Sequence, residues 1–178
     1  MSLNAAKNDL RRQVLNARAL HVQDVDCAEQ FTAALIDLTE DDSTIACYLS
    51  FGDEPETRTF VEVAHAAGKR VLLPVANQDG SMTWIAYNGE TEPGIFGFDE
   101  PKGKPAKLAE ASIIIVPALA VDEAGHRLGR GRGFYDRALA DANEDAPIIA
   151  LVHDGEVVVE VPTEPHDLDI DGHIVCER

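Results

Sequence analysis

Short, uniformly apolar runs alternate along this chain with segments of helical period, and that alternation restricts the fold more than any other feature. Ser43–Ser50 (STIACYLS), Arg70–Val75 (RVLLPV), Ile113–Val116 (IIIV) and Ile148–Val152 (IIALV) are too short for helices and have no polar-facing alternation. Strands of that kind are buried on both faces, as in parallel sheets covered by helices. Between the first two, Glu56–Ala67 has helical spacing and Gly68 stands at a C-cap position, so a βαβ unit is predicted. Ile174–Cys176 adds a last strand. A three-layer α/β/α domain with a mainly parallel central sheet follows. At 178 residues the chain fits one such domain over 1–178.

The remaining segments are assigned by period and punctuation. Leu10, Val14, Ala17 and Leu20 recur at helical spacing among charged residues, so 7–20 reads as an amphipathic first helix with those four inward. A second helix is expected from an N-cap at Asp24 through Ala28, Phe31, Leu35 and Leu38. Ser81–Tyr87 alternates like a strand and Asn88-Gly89 should end it. From Gly89 to Pro105 glycine, proline and acidic residues show no period, which reads as a long loop forming a lid or part of a pocket. After Val116 a loop should lead to Gly133 and a helix over 134–142.

No apolar run approaches the roughly 18 residues of a membrane span, and the charged stretch Met1–Leu20 lacks a signal-peptide core, so a cytoplasmic protein is expected. Cys27, Cys47 and Cys176 have no CxxC spacing and read as buried free thiols. The six histidines form no zinc pattern, and His166 adjoins the candidate site residue Asp167. The formal net charge of −17 repels nucleic acid and anionic membranes, so neither is an expected partner.

Against that acidity, Arg127, Arg130, Arg132 and Arg137 fall within eleven residues, RLGRGRGFYDR, where even spreading of the 15 cations would place about one. Gly129, Gly131 and Gly133 alternate with them. Residues without Cβ let backbone N–H groups turn toward an anion, and arginine forks beside them add donors. A phosphate cradle at the carboxyl edge of the sheet is the reading. It is neither a Walker A loop, since no GKS or GKT follows, nor GxGxxG, since Phe134 breaks that pattern.

The longer string Val116–Leu139 (VPALAVDEAGHRLGRGRGFYDRAL) resembles the signature of the 5-formyltetrahydrofolate cyclo-ligase family, and the resemblance runs through the chain. Lys7 and Arg11 match its Lys-x-x-x-Arg on the first helix, which implies contacts to nucleotide phosphates; locally they are also two solvated charges on one helical face. Tyr48-Leu49-Ser50 with Asp53-Glu54-Pro55 is similar to its strand-end loop, implying that Leu49 and Glu54 contact the folate, although Glu54 alone is also an ordinary helix-start acid. The resemblance further implies that Arg127, Leu128, Gly129, Arg130, Gly131, Arg132, Gly133, Phe134 and Tyr135 surround ATP. Of these, Arg130 through Phe134 would also touch the folate. Asp136 and Asp167 would hold Mg²⁺, and Arg130, Arg132 and Lys7 would be catalytic.

Departures are few. Phe134 stands where the family often has Tyr, Glu156 where Gln is common, and Gly97-Phe98-Asp99-Glu100-Pro101 replaces Gly-Ile-x-Glu-Pro. The implied activity is ATP- and Mg²⁺-dependent cyclisation of 5-formyltetrahydrofolate, with or without a polyglutamate tail, by a monomer. Two alternatives stay open at this point: another phosphometabolite enzyme on the same scaffold, and a non-catalytic RNA-binding module, the latter disfavoured by the missing basic stripe.

Overall fold

A computed structural model describes residues 2–21, 27–165 and 167–176. In chain order the elements are α1 (Leu3–His21), α2 (Ala28–Leu38), β1 (Thr44–Ala46), α3 (Arg58–Ala66), β2 (Arg70–Ala76), β3 (Met82–Pro93), β4 (Asp99–Ala106), β5 (Ile113–Pro117), β6 (Ala120–Val121), β7 (Arg127–Leu128), α4 (Phe134–Ala138), β8 (Ile148–His153) and β9 (Gly172–Cys176). Seven strands form one sheet in the order β4-β3-β2-β1-β5-β8-β9, and β6 pairs with β7 in a small ribbon. The pairs β1–β2, β1–β5, β5–β8 and β8–β9 are parallel, whereas β3 and β4 join antiparallel at one edge.

The apolar runs behave as their composition requires. Ile113 and Ile115 face Phe31 and Leu35 of α2 and Phe60 and Val61 of α3. Ile114 and Val116 face the opposite way, onto Leu108, Leu139 and Trp84. With both faces covered, each residue of β5 is apolar, and the α/β/α layering stands. The βαβ unit is β1-α3-β2, and α3 ends where expected: Gly68 takes φ 83°, its N–H donates to His65 O and the Lys69 N–H to Ala64 O. That is the paired closure of a Schellman motif.

Several expectations are corrected. The 89–105 loop is a hairpin, because β3 runs on past Asn88-Gly89 to Pro93 and pairs with β4, with a bulge between Tyr87 and Thr91. β4 is an edge strand facing solvent, so it tolerates Pro101 and Pro105 and shows no apolar period. The predicted helix over 134–142 is α4 followed by a 3-10 turn at Leu139–Asp141, and the preceding loop contains β6 and β7. The N-cap assigned to Asp24 lies outside the described residues; α2 begins at Ala28 after Cys27.

Cys27 and Cys176 are joined by a disulfide, with Cα atoms 5.7 Å apart, and are not free thiols. They are 149 residues apart in sequence, so only the docking of α2 beside β9 brings them together. Cys47 remains a free, fully buried thiol, and burial pushes its pKa well up. Among the described residues no helix is long and apolar enough to cross a membrane.

The first helix turns only half of its predicted apolar face inward: Leu10 and Val14 pack, whereas Ala17 and Leu20 do not. Leu20 is 73% exposed and Ala17 is exposed, while Lys7, Val14 and Arg18 are buried. The inward stripe is therefore Lys7, Arg11, Val14 and Arg18. Only Val14 and its neighbours Leu10 and Leu15 pack apolarly, on Leu119, Leu128 and Val161. Carboxylates on other segments hold Lys7 and Arg18 inward, and a backbone carbonyl holds Arg11.

Candidate active site

In this sheet the chain moves from β1 to β2 on one side and returns to β5 on the other. Such a reversal opens a crevice at the carboxyl ends of the strands, the usual ligand position in open α/β sheets. A cavity of about 470 Å³ lies there, lined by Tyr48 and Leu49 after β1, Pro74 and Ala76 of β2, and 117–119 at the end of β5. Its volume falls within the roughly 300–1,000 Å³ of small-molecule sites.

The glycine loop forms one wall. Gly131 has φ 91° and Gly133 φ 65°, conformations that side chains with Cβ rarely adopt, and a Cβ on Gly131 would lie 3.0 Å from the Arg11 guanidinium carbon. Arg11 Nε donates to Gly129 O at 2.9 Å and its Nη1 to Asn8 Oδ1 at 2.7 Å. Arg11 thus braces the loop as well as lining the cavity.

Four of the five predicted cations meet protein carboxylates or carbonyls. Lys7 Nζ donates to Asp167 Oδ2 at 2.6 Å and Glu164 Oε2 at 2.9 Å. Burial works against the Lys7 charge, but the bonds to Asp167 and Glu164 outweigh it and hold its pKa above the ordinary lysine value. Arg127, on β7 and buried, donates to Asp136 Oδ1 at 2.8 Å and to Pro117 O at 3.2 Å, and its Nε meets no acceptor among the described residues. Arg130 Nη2 donates to Asp53 Oδ1 at 2.7 Å, and its Nε lies 3.4 Å from Glu54 Oε1. Arg132 instead lies over the Phe96 ring, 5.9 Å from its centre. Leu128 packs beside Val14, and Tyr135 lies beneath the Arg127 guanidinium.

Every predicted site residue therefore reaches this cavity: Lys7, Arg11, Leu49, Glu54, the stretch 127–136 and Asp167 all line it. Arg137, counted in the basic cluster, points elsewhere; it donates to Gly80 O and Arg132 O and stacks on Phe134. His166 lies outside the described residues. Among the described residues no three His, Cys, Asp or Glu side chains gather as metal ligands. Asp136 and Asp167 are separate carboxylates on one pocket.

Sequence reasoning missed the aromatic wall. Phe51 and Phe98 stack with centres 4.4 Å apart, Phe96 adjoins Phe98 at 6.2 Å, and Arg130 lies over Phe51 at 5.4 Å. The available signal was Ile95-Phe96-Gly97-Phe98, apolar residues in a stretch otherwise polar. Also missed was Asp122, a buried carboxylate that accepts from the N–H groups of Ala124, His126 and Val161 and from the His126 ring. It anchors the segment leading to Glu164 and Asp167.

A match to the 5-formyltetrahydrofolate cyclo-ligase family spans residues 3–177. The chain belongs to that family. It is 43% identical over 134 residues to the 5-formyltetrahydrofolate cyclo-ligase of Mycolicibacterium smegmatis, covering 70% of this chain and 69% of the relative. To the cyclo-ligase of Escherichia coli it is 33% identical over 135 residues, 71% and 74% of the two chains. The methenyltetrahydrofolate synthetase structure from Aquifex aeolicus superposes with a TM-score of 0.80 at 22% identity, over 97% of this chain and 90% of that one. The one from Mycoplasma pneumoniae gives 0.72 at 20%, over 94% and 97%. The α/β architecture is therefore that of solved 5,10-methenyltetrahydrofolate synthetases.

Within this cyclo-ligase family site, Glu54 has the most informative electrostatics. Its side chain is 6% exposed and accepts from the Phe51 N–H at 3.2 Å. Burial raises its pKa above the ordinary 4.5, and the Phe51 bond and Arg130 only partly oppose that. The folded protein consequently holds the Glu54 proton more tightly than the unfolded chain. Stability is lost as pH rises through the interval from 4.5 to the raised native value. Glu54→Gln removes this titration. Its urea midpoint relative to the parent should be higher near pH 7 than near pH 4. An unchanged or reversed difference would contradict this assignment.

Proposed function

We propose that this protein is an ATP- and Mg²⁺-dependent 5-formyltetrahydrofolate cyclo-ligase, acting as a cytoplasmic monomer with a single catalytic domain. It converts 5-formyltetrahydrofolate and ATP to 5,10-methenyltetrahydrofolate, ADP and phosphate. The observation that carries the reading is convergence: the basic glycine loop, Lys7, Glu54, Asp136 and Asp167 line one cavity at the sheet's switch point.

The chemistry follows from the groups present. Closing the ring must expel the formyl oxygen, a poor leaving group until phosphorylated. The formyl oxygen attacks the γ-phosphorus and ADP departs; the second nitrogen then attacks the activated carbon, and the oxygen leaves as phosphate. Phosphoryl transfer depends chiefly on positioning and charge stabilisation, so no nucleophilic side chain is needed.

Lys7, Arg130 and Arg132, with amides of 129–133, are the donors for the phosphate oxygens. Arg11, Arg127, Leu128, Phe134 and Tyr135 complete the nucleotide side. Leu49 packs against the folate, and Glu54 accepts from the N–H groups of its amino-pyrimidinone edge.

Two carboxylates on one pocket fit Mg²⁺, which commonly takes one or two protein carboxylates with phosphates and water. Asp136 and Asp167 would hold it, each turning from its present cation, Arg127 or Lys7. Bound there, Mg²⁺ supplies charge neutralisation to the nucleotide phosphates.

Purified protein with MgATP and 5-formyltetrahydrofolate should develop methenyl absorbance and release ADP in equal amounts. Neither should occur without ATP or in excess EDTA. Absence of both products from folded protein with all components present would refute the proposal.

A further inference from the structure

The helix α1 carries a third inward cation, Arg18, which neither the basic segment nor the family resemblance points to. Arg18 is 1% exposed and lines the cavity. At 1.5 Å per residue it lies roughly 10 Å along the helix from Arg11 and about 16 Å from Lys7. The phosphate-side cations and Arg18 thus occupy different stretches of one wall.

Glu156 holds Arg18 in a two-pronged pair: Nε donates to Oε1 and Nη2 to Oε2, both at 2.7 Å, and Nη2 also donates to Ala118 O at 2.9 Å. Glu156 is itself buried and accepts the His153 N–H at 2.7 Å. Glu156 therefore has a partner, and the pair neutralises itself. One donor is left over. Among the described residues Arg18 donates through Nε and Nη2, and no hydrogen bond engages Nη1. Arg18 lines the cavity, so an oxygen of a bound molecule can take that remaining donor. Arg18 shares this cavity wall with Tyr48 and Glu54, the residue assigned to the folate.

We propose that Arg18 is a specificity-determining residue for the folate: its Nη1 donates to the ring oxygen of the pterin, while Glu54 accepts from the pterin's N–H groups. This rests on the cyclo-ligase reading. A donor and an acceptor at one end of a cavity match an amino-pyrimidinone edge, which carries both functions. Glu156 is the positioning residue, because its two oxygens fix the plane of the guanidinium.

The test uses the Arg18→Met, Glu156→Gln double variant, which removes both charges together. A hydrogen bond from a charged donor is worth about 1.5–3 kcal/mol, so KM for 5-formyltetrahydrofolate should rise about 10-fold or more. KM for ATP should move less than about threefold, since the change is remote from the phosphate cations. A diaminopteridine analogue, with an amino group replacing the ring oxygen, supplies a readout that a purely structural role would not move. The parent should prefer the oxo compound by at least about 10-fold in inhibition assays, and the double variant should lose that preference. Should the double variant not fold, Arg18→Lys, which keeps the charge without the fixed fork, is read in the same two assays. Equal changes in both KM values, or retained discrimination by a folded variant, would overturn the proposal. Absence of turnover in the parent would instead overturn the cyclo-ligase reading.

Discussion

Arg130→Ala is expected to lower kcat by roughly 10²–10³-fold, the usual cost of deleting one donor aimed at charge that develops in the transition state. Three observations single out this arginine. It stands between glycines that let the backbone turn, its guanidinium reaches Asp53 and Glu54 on the loop after β1, and its plane lies over Phe51. On the proposed mechanism it links the phosphate wall to the folate wall, where the formyl oxygen and the γ-phosphate would meet. The Arg130–Asp53 pair is 39% and 31% exposed at its two side chains, so losing it should cost under about 1 kcal/mol of stability. The expected signature is a large fall in turnover with almost no change in thermal midpoint. Arg130→Lys should recover part of the rate, because it keeps the charge and loses the fork. A variant turning over within about threefold of the parent would remove Arg130 from the mechanism.

Glu156→Ala should have the largest effect on stability. Side-chain exposures of 1% for Arg18 and 6% for Glu156 mark a buried pair, and deleting the carboxylate strands a guanidinium in the interior. Such losses cost about 3–5 kcal/mol. For a domain of this size each kcal/mol moves the thermal midpoint by roughly 2–4 °C, so a fall of about 10 °C is expected. Glu156→Gln should be milder, since an amide oxygen still accepts one of the bonds. Adding Arg18→Met to Glu156→Ala should restore part of the loss and give a coupling of about 2 kcal/mol in a double-mutant cycle read by urea unfolding. A Glu156→Ala loss below about 1 kcal/mol would mean that water reaches the pair.

How much was legible beforehand follows from where each residue finds its partners. The runs at Ile113–Val116 and Arg70–Val75 announced themselves because strands covered on both faces must be apolar throughout, and Gly68 announced the end of α3 by its backbone freedom. The β3–β4 hairpin did not, because an edge strand facing solvent needs backbone pairing but no apolar period. On α1 the apolar period placed Leu10 and Val14 correctly but not Ala17 and Leu20, since Lys7 and Arg18 turn inward to carboxylates that lie on other segments.

The amino-acid sequence by itself determined the α/β class, the positions of its buried strands and the presence of a glycine loop rich in arginine, all consequences of neighbours within a few residues. Only the tertiary structure decided that Lys7 meets Asp167, that Arg18 meets Glu156 and that Cys27 meets Cys176, across separations of 160, 138 and 149 residues. Local pattern carries hydrophobic period and turn chemistry. Pairing of buried charges and thiols depends on which segments the folded sheet brings together, and no short stretch of chain contains that information.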